Sequence, residues 1–83
     1  MKRTVTIRVV YFAALAEAAR REAETVETDA ADLRAFYLER AAAHGIEWPI
    51  EHLRVALDGA FVDWTGTLHD GAEVAFIPPV SGG

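Results

Sequence analysis

The sequence lacks cysteine altogether and contains a single serine, Ser81. Without cysteine the chain can form no disulfide, no thiolate metal site and no cysteine nucleophile. This composition suits a reducing cytoplasm, which is the location we expect. Ser81 has no histidine close to it in the sequence, so a hydrolytic triad is not expected. Any sulfur chemistry of this protein must therefore use sulfur that another molecule supplies.

Metal-binding and phosphate-binding patterns are also missing. The three histidines, His44, His52 and His69, are widely spaced and match no metal-ligand template. The glycines stand at predicted turns or at the end of the chain, so there is no glycine-rich phosphate loop. No continuous apolar run suggests a signal peptide or a membrane span. We therefore predict no metal, no cofactor bound by the isolated chain and no membrane association.

Positive charge is scarce in the second half of the chain. Residues 43–83 carry one basic group, Arg54, and six acidic groups, whereas the seven basic and seven acidic groups of residues 1–42 cancel. The net charge of −5 therefore belongs to the second half. An acidic surface favours a basic protein partner and disfavours nucleic acid, whose binding needs cations that neutralise phosphates. A solvated surface that only aids solubility is the alternative.

Alternation and turn residues predict an α+β fold of five strands and two helices. Apolar residues at period two mark the strands, and Asp58-Gly59 marks a tight hairpin. Asp29 is predicted to cap the second helix and Gly45 to end it. Because two helices cannot cover both faces of the sheet, one face is expected to stay open. The predicted elements are strand Thr4–Phe12, helix Ala13–Arg21, strand Glu24–Thr28, the helix from Asp29 to Gly45, a loop Gly45–Glu51, and strands Leu53–Leu57, Ala60–Trp64 and Ala72–Ile77.

The open face is predicted to carry an apolar patch. On the last strand, alternation places Val74 and Phe76 toward the helix and their neighbours toward the open face. If the first and last strands are adjacent, their open-face residues form one surface, and such surfaces usually mark partner sites. A covering loop, such as the segment around Trp48, is the alternative. The predicted partner interface consists of Val10, Phe12, Phe61, Ala75 and Ile77.

The chain ends in two glycines behind a stiff Pro78-Pro79 dipeptide. Glycine has no Cβ and fits channels too narrow for other residues, and the terminal carboxylate is an ionised oxygen nucleophile at neutral pH. We therefore expect a folded domain of residues 1–77 and a flexible tail of residues 78–83. An ordinary frayed terminus is the alternative. The predicted tail consists of Pro78, Pro79, Val80, Ser81, Gly82 and Gly83.

Three segments of the chain together resemble a known family. They are Tyr11–Leu15 (YFAAL), Asp58–Val62 (DGAFV) and Asp70–Gly83 (DGAEVAFIPPVSGG). These segments are similar to the small, sulfur-carrying subunit of molybdopterin synthase, of the MoaD type, and the similarity spans nearly the whole chain. The resemblance implies a ubiquitin-like β-grasp fold, in which one main helix packs on one face of a mixed sheet. It also implies that the first and last strands are parallel neighbours.

The resemblance further implies that the chain supplies a reactive terminus while its partners supply the catalytic residues. A ubiquitin-activating-like adenylyltransferase would use ATP to convert the Gly83 carboxylate into a transient acyl-adenylate. A persulfide donor would then lead to a thiocarboxylate at Gly83. Residues 78–82 would thread the active sites of both this enzyme and the large subunit of molybdopterin synthase, in an expected heterotetramer. There the chain, itself the non-catalytic subunit, would give sulfur to cyclic pyranopterin monophosphate in molybdenum cofactor biosynthesis.

Two positions depart from the family pattern, and other functions stay open. Ala16 stands where the family often has arginine, so a partner contact through that side chain is not implied. Asp58 stands where the family usually has asparagine, and either residue serves a tight turn. A sulfur carrier for thiamine thiazole, tRNA thiolation or cysteine would share the tail chemistry. A ubiquitin-like protein modifier and an interaction module with an incidental diglycine are the remaining alternatives.

Overall fold

Within residues 3–79, five strands, numbered β1 to β5 along the chain, form one mixed sheet in the order β2-β1-β5-β3-β4. The computed structural model describes residues 3–79. β1 and β5 run parallel at the centre, and the other neighbouring strands are antiparallel. The predicted ubiquitin-like β-grasp fold is thereby confirmed, with the first and last strands side by side. The elements are β1 (Val5–Tyr11), α1 (Ala14–Ala19), β2 (Ala23–Thr28), α2 (Leu33–His44), a 3-10 turn (Ile50–His52), β3 (Arg54–Leu57), β4 (Ala60–Val62) and β5 (Glu73–Ile77).

One face of this sheet packs against α2 and forms the core. The Phe76 ring of β5 lies 5.1 Å from the Tyr37 ring and 6.0 Å from the Phe36 ring, centroid to centroid, so α2 crosses directly over β5. Full burial of one such side chain contributes about 1.5–3 kcal/mol to stability. The alternation predicted for the two central strands is confirmed, because its inward members are all buried: Val5, Ile7, Val9, Tyr11, Val74 and Phe76.

The predicted N-cap of α2 was wrong by three residues. Asp32, not Asp29, caps the helix, since its carboxylate accepts a hydrogen bond from the Ala35 backbone N–H at 2.9 Å. The Leu33 N–H donates to the Gly66 carbonyl at 2.9 Å, which satisfies a further amide of the first turn. The loop that crosses the helix start therefore decides between two aspartates that suit a cap equally well in sequence.

The segment after α2 lies against the core instead of forming a plain loop. Gly45 ends α2 as predicted, with a φ of 68°. The predicted loop Gly45–Glu51 was wrong at its end, because the 3-10 turn already begins at Ile50. Ile46 and Ile50 are buried, and the Tyr37 hydroxyl donates to the Trp48 carbonyl at 2.6 Å. Trp48 itself packs against the core cluster, so this segment belongs to the helix-covered side.

Other boundaries differ from the prediction by a few residues, for local reasons. α1 is shorter than Ala13–Arg21, because both Ala13 and Arg20 have positive φ angles. The predicted strand Ala60–Trp64 ends at Val62, since Trp64 leaves the sheet and stacks on Phe76 at 6.0 Å. The hairpin at Asp58-Gly59 is confirmed, and both residues have the positive φ of a type I′ turn. No helix within residues 3–79 is long and apolar enough to cross a membrane.

Candidate functional site

A row of apolar side chains crosses the open face of the sheet. The strand register places Val10 of β1 beside Ala75 of β5, Ala75 beside Ala56 of β3, and Ala56 beside Phe61 of β4. Four strands therefore contribute one residue each to a single row on the open face, in which Ala56 is buried between its neighbours. The structure thus brings together three residues of the predicted partner interface, which the sequence separates by up to 65 positions (75 − 10). Their role in binding stays a prediction.

Phe12 and Ile77 lie at the end of the sheet from which the tail leaves. Tyr11 and Phe76 are partners in the parallel pair of β1 and β5, so the residue that follows each of them lies at the same edge. Phe12 is 46% exposed and Phe61 is 56% exposed, so no loop within residues 3–79 covers them. The open-face patch, as we call it, consists of Val10, Phe12, Phe61, Ala75 and Ile77.

A strained turn holds Phe12 in its place. The Leu15 N–H donates to the Phe12 carbonyl at 3.0 Å and closes a β-turn over residues 12–15. Its second residue, Ala13, has a φ of 50° and a ψ of −122°, a conformation that favours glycine. Such a residue costs about 1–3 kcal/mol, and strain of this kind is common at binding sites. Because Leu15 is fully buried, the core anchors the turn that presents Phe12.

Two residues of β3 lie beside the open-face patch, although the sequence analysis did not assign them to the site. Ala56 lies between Ala75 and Phe61 in the row. Arg54 is the register partner of Ile77, and its guanidinium carbon lies 4.0 Å from the centroid of the Phe61 ring. The alternation of the predicted strand already placed these two residues on the face opposite Leu53, Val55 and Leu57. The missing information was that β3 is the neighbour of β5.

Charged pairs occupy the other end of the central strands. Arg8 and Glu73 are register partners on the open face, with 3.3 Å between Nε and Oε2. In the hairpin, Asp58 pairs with His69 at 2.7 Å. Hydrogen bonds from the Glu73 backbone N–H and from His69 lower the pKa of Asp58, and the same contact raises the pKa of His69. Exposed pairs of this kind contribute little to stability.

A second ionisable cluster lies on the helix-covered side, around Glu24 of β2. Its carboxylate accepts hydrogen bonds from the Tyr11 hydroxyl at 2.5 Å and from His44 Nε2 at 2.6 Å. Arg21 and Arg40 form ion pairs with it at 3.2 and 3.5 Å. Burial alone would raise the pKa of Glu24, but the hydrogen bonds from Tyr11 and His44 hold it below its ordinary value. Glu24 therefore stays ionised at neutral pH, and its contacts tie β1, β2 and α2 together.

The described residues contain no candidate metal centre and include only the start of the tail. Within residues 3–79, no three His, Cys, Asp or Glu side chains are grouped so that they could hold a metal ion. Pro78 is buried and Pro79 is exposed, so the chain stays against the domain for one residue beyond β5. The predicted tail residues Val80, Ser81, Gly82 and Gly83 lie outside the described residues.

Comparisons with known proteins agree with this arrangement. The model of the ThiS family matches residues 9–83. The chain is similar to SAMP1 from Haloferax volcanii, with 27% identity over 94% of this chain and 99% of that chain and a TM-score of 0.79. It is also similar to the putative molybdopterin converting factor subunit 1 from Pyrococcus furiosus, with 27% identity, 92% and 99% coverage and a TM-score of 0.76.

A more distant likeness concerns the fold alone. A chain from the complex of subunits 1 and 2 of the molybdopterin-converting factor from Helicobacter pylori is 21% identical, over 95% of this chain and 100% of that chain, with a TM-score of 0.68. No curated protein matches the chain significantly. The family match includes the patch strands as well as the diglycine. The chain therefore belongs to the ThiS family, and it is a ubiquitin-like protein of the sulfur carrier or modifier type.

Proposed function

We propose that this chain carries sulfur, as a thiocarboxylate at Gly83, to a molybdopterin synthase. The family match extends through residue 83, and one similar structure is a putative molybdopterin converting factor subunit 1. The observation that carries the proposal is the continuity of β5 with the tail. Ala75 and Ile77 belong to the open-face patch, and the sequence continues directly from them through Pro78 to Gly83. A partner that binds the patch therefore binds the root of the reactive terminus.

The chemistry begins with activation of the carboxylate, because an ionised carboxylate resists attack by sulfur. A Gly83 oxygen attacks the α-phosphorus of ATP on a ubiquitin-activating-like adenylyltransferase, and pyrophosphate leaves. The terminal sulfur of a persulfide donor then attacks the acyl carbon, and AMP leaves. A thiol reductant cleaves the resulting S–S bond and frees the thiocarboxylate. Two such deliveries to cyclic pyranopterin monophosphate supply both sulfurs of the dithiolene.

The open-face patch is the docking surface in this proposal. Both the activating enzyme and the large synthase subunit must hold the tail at its root, so they compete for one face. The complex of subunits 1 and 2 from Helicobacter pylori supports a large-subunit partner for a protein of this fold. Phe12 and Phe61 are the anchors, because exposed aromatic side chains that become buried contribute most to binding. The catalytic residues and ATP belong to the partners.

Reconstitution tests the carrier function directly. Purified chain is incubated with the activating enzyme, ATP, a persulfide donor and a thiol, and its intact mass is then measured. The wild-type chain should gain the mass difference between sulfur and oxygen at its terminus. A variant without Gly83 should gain nothing and should keep its thermal midpoint, since the core cluster of the described residues is built from residues 5–76. Sulfur on the shortened variant would overturn the proposal.

The acceptor assigns the pathway. The thiocarboxylated chain is mixed with cyclic pyranopterin monophosphate and the large subunit, and formation of molybdopterin is measured. Product formation only when the large subunit is present supports the proposed pathway. Transfer of sulfur to an enzyme that makes thiamine thiazole, thiolated tRNA or cysteine, without molybdopterin formation, would assign the carrier to another pathway.

Protein modification is the second candidate function. SAMP1, a small archaeal modifier protein, is as similar in sequence to this chain as the Pyrococcus furiosus protein. Activated Gly83 would then form an amide bond with a lysine of another protein. Trypsin would leave the whole of residues 55–83 on that lysine, because Arg54 is the last basic residue. In a Ser81→Arg variant, trypsin would leave only Gly82-Gly83 on the modified lysine. Mass spectrometry of the tryptic peptides would then detect any conjugates as lysines that carry two glycines.

A further inference from the structure

Arg54 places one positive charge beside an apolar surface in the acidic half of the chain. It is the only arginine or lysine of residues 43–83. It lies next to Ile77, the last residue of β5, and so at the root of the tail. Its guanidinium carbon is 4.0 Å from the centroid of the Phe61 ring, a distance that fits a cation–π contact. Phe61 thus holds the Arg54 guanidinium at the edge of the open-face patch.

The charge of Arg54 has no acidic counterpart in the described structure. Arg8 pairs with Glu73, and both Arg21 and Arg40 pair with Glu24, whereas Arg54, like Arg20 and Arg34, has no ion pair within residues 3–79. Within residues 3–79, the Arg54 side chain makes neither an ion pair nor a hydrogen bond. No acceptor within residues 3–79 therefore occupies its N–H groups.

We infer that Arg54 binds a carboxylate side chain of the protein that docks on the open-face patch. The inference rests on the proposed function, because it names the chemistry of the same docking surface. A partner that covers Phe61 and Ile77 also takes water away from Arg54. An unpaired buried charge is strongly unfavourable, so such a partner must offer an acceptor in return.

A carboxylate fits this position better than a neutral acceptor. The planar guanidinium offers several N–H donors in a fixed geometry and can bind both oxygens of a carboxylate. The contact with Phe61 restricts the side chain beforehand, which lowers the entropy lost on binding. The acidic groups of residues 43–83 favour a partner whose surface is mostly basic. Opposite Arg54, however, that surface needs one acidic group. A partner without that group is rejected, so Arg54 contributes specificity.

Titration calorimetry with the purified large synthase subunit tests this inference on the full-length chain. The variants are Arg54→Gln, Arg54→Lys and, as a matched control, Arg8→Gln, which removes the same charge from the same face but away from the tail. Arg54→Gln should weaken binding by about tenfold or more. Arg54→Lys should weaken it less, because it keeps the charge but loses the planar donor set. Arg8→Gln should change affinity by less than about twofold.

Two further measurements separate recognition from local packing. The thermal midpoints of the free variants should agree with the wild type, and the affinity gap between the wild type and Arg54→Gln should narrow as salt rises. Unchanged affinity of Arg54→Gln, or equal losses in Arg54→Gln and Arg8→Gln, would overturn the inference while the wild type still binds. Failure of the wild type itself to bind would overturn the proposed docking and this inference with it.

Discussion

The two faces of the sheet are built by the same strands but have different roles. In β5, Phe76 is fully buried against α2, whereas its neighbour Ile77 is partly exposed in the open-face patch. In the same way, Tyr11 at the end of β1 is buried and Phe12 is half exposed. Alternation therefore divides one strand between stability and binding. Substitutions at adjacent positions should separate these two properties.

The largest expected effect is a difference in stability between substitutions at the neighbouring residues Phe76 and Ile77, which lie on opposite faces. Phe76→Ala should lower the free energy of unfolding by about 3–5 kcal/mol, because it removes a ring that contacts four other aromatic rings of the core, those of Tyr11, Phe36, Tyr37 and Trp64. Ile77→Ala should lower it by less than about 1.5 kcal/mol, since the side chain is already partly exposed. Urea denaturation of both variants measures the difference. Similar losses at the two positions would mean that the faces are not separate.

A smaller effect on stability is expected at the cluster around Glu24 on the helix-covered side. Glu24→Gln should lower the free energy of unfolding at pH 7 by about 1–2 kcal/mol, because Tyr11 and His44 lose a charged acceptor. The pKa of Glu24 is lowered in the folded state, so its contribution is present above the unfolded value near 4.5 and disappears as the pH falls through the lower folded value.

The pH dependence and a control on the same strand sharpen this test. The stability gap between the wild type and Glu24→Gln should be present at pH 5 and should close as the pH falls further, through the lowered pKa of Glu24. Glu27→Gln is the control, because Glu27 is exposed on β2. It should change stability by less than about 0.5 kcal/mol. A gap that does not close below about pH 4 would contradict the assigned role of Glu24.

The smallest expected effect lies in the exposed hairpin. Hydrogen bonding to Asp58 raises the pKa of His69 above its ordinary value near 6.5. In Asp58→Asn the pKa of His69 should return toward that value, as followed by its ring proton shifts in an NMR titration. The thermal midpoint should hardly move, because asparagine also tolerates the positive φ of this turn position. An unchanged titration of His69 would show that the pair does not persist in solution.

The sequence predicts which residues share a face better than it predicts which strands are neighbours. Period two assigned Val10 and Ala75 to the open face without any knowledge of the sheet order. Their adjacency followed only from the family resemblance, because strands distant in sequence leave no local signal of pairing. Ala56 and Arg54 were missed for this reason, although their alternation was visible in the sequence.

Tertiary contacts explain the remaining differences. Asp29 and Asp32 are equally good caps in sequence, and only the contact of Leu33 with the 64–66 loop selects between them. Trp64 would continue a strand by its own preference, but its ring stacks on Phe76 and draws the chain out of the sheet. The contact between Arg54 and Phe61 likewise requires β3 and β4 to be paired.

Binding to the large synthase subunit by matched variants of the two faces tests the central claim most directly. Phe12 is 46% exposed in the open-face patch, and Leu38 is 50% exposed on α2, so Phe12→Glu and Leu38→Glu make the same kind of change on opposite sides of the molecule. Phe12→Glu should weaken binding by about 30-fold or more, as expected for loss of an aromatic anchor. Leu38→Glu should stay within about twofold of the wild type. Unchanged binding of Phe12→Glu, or an equal loss in Leu38→Glu, would contradict the assignment of the open face as the docking surface.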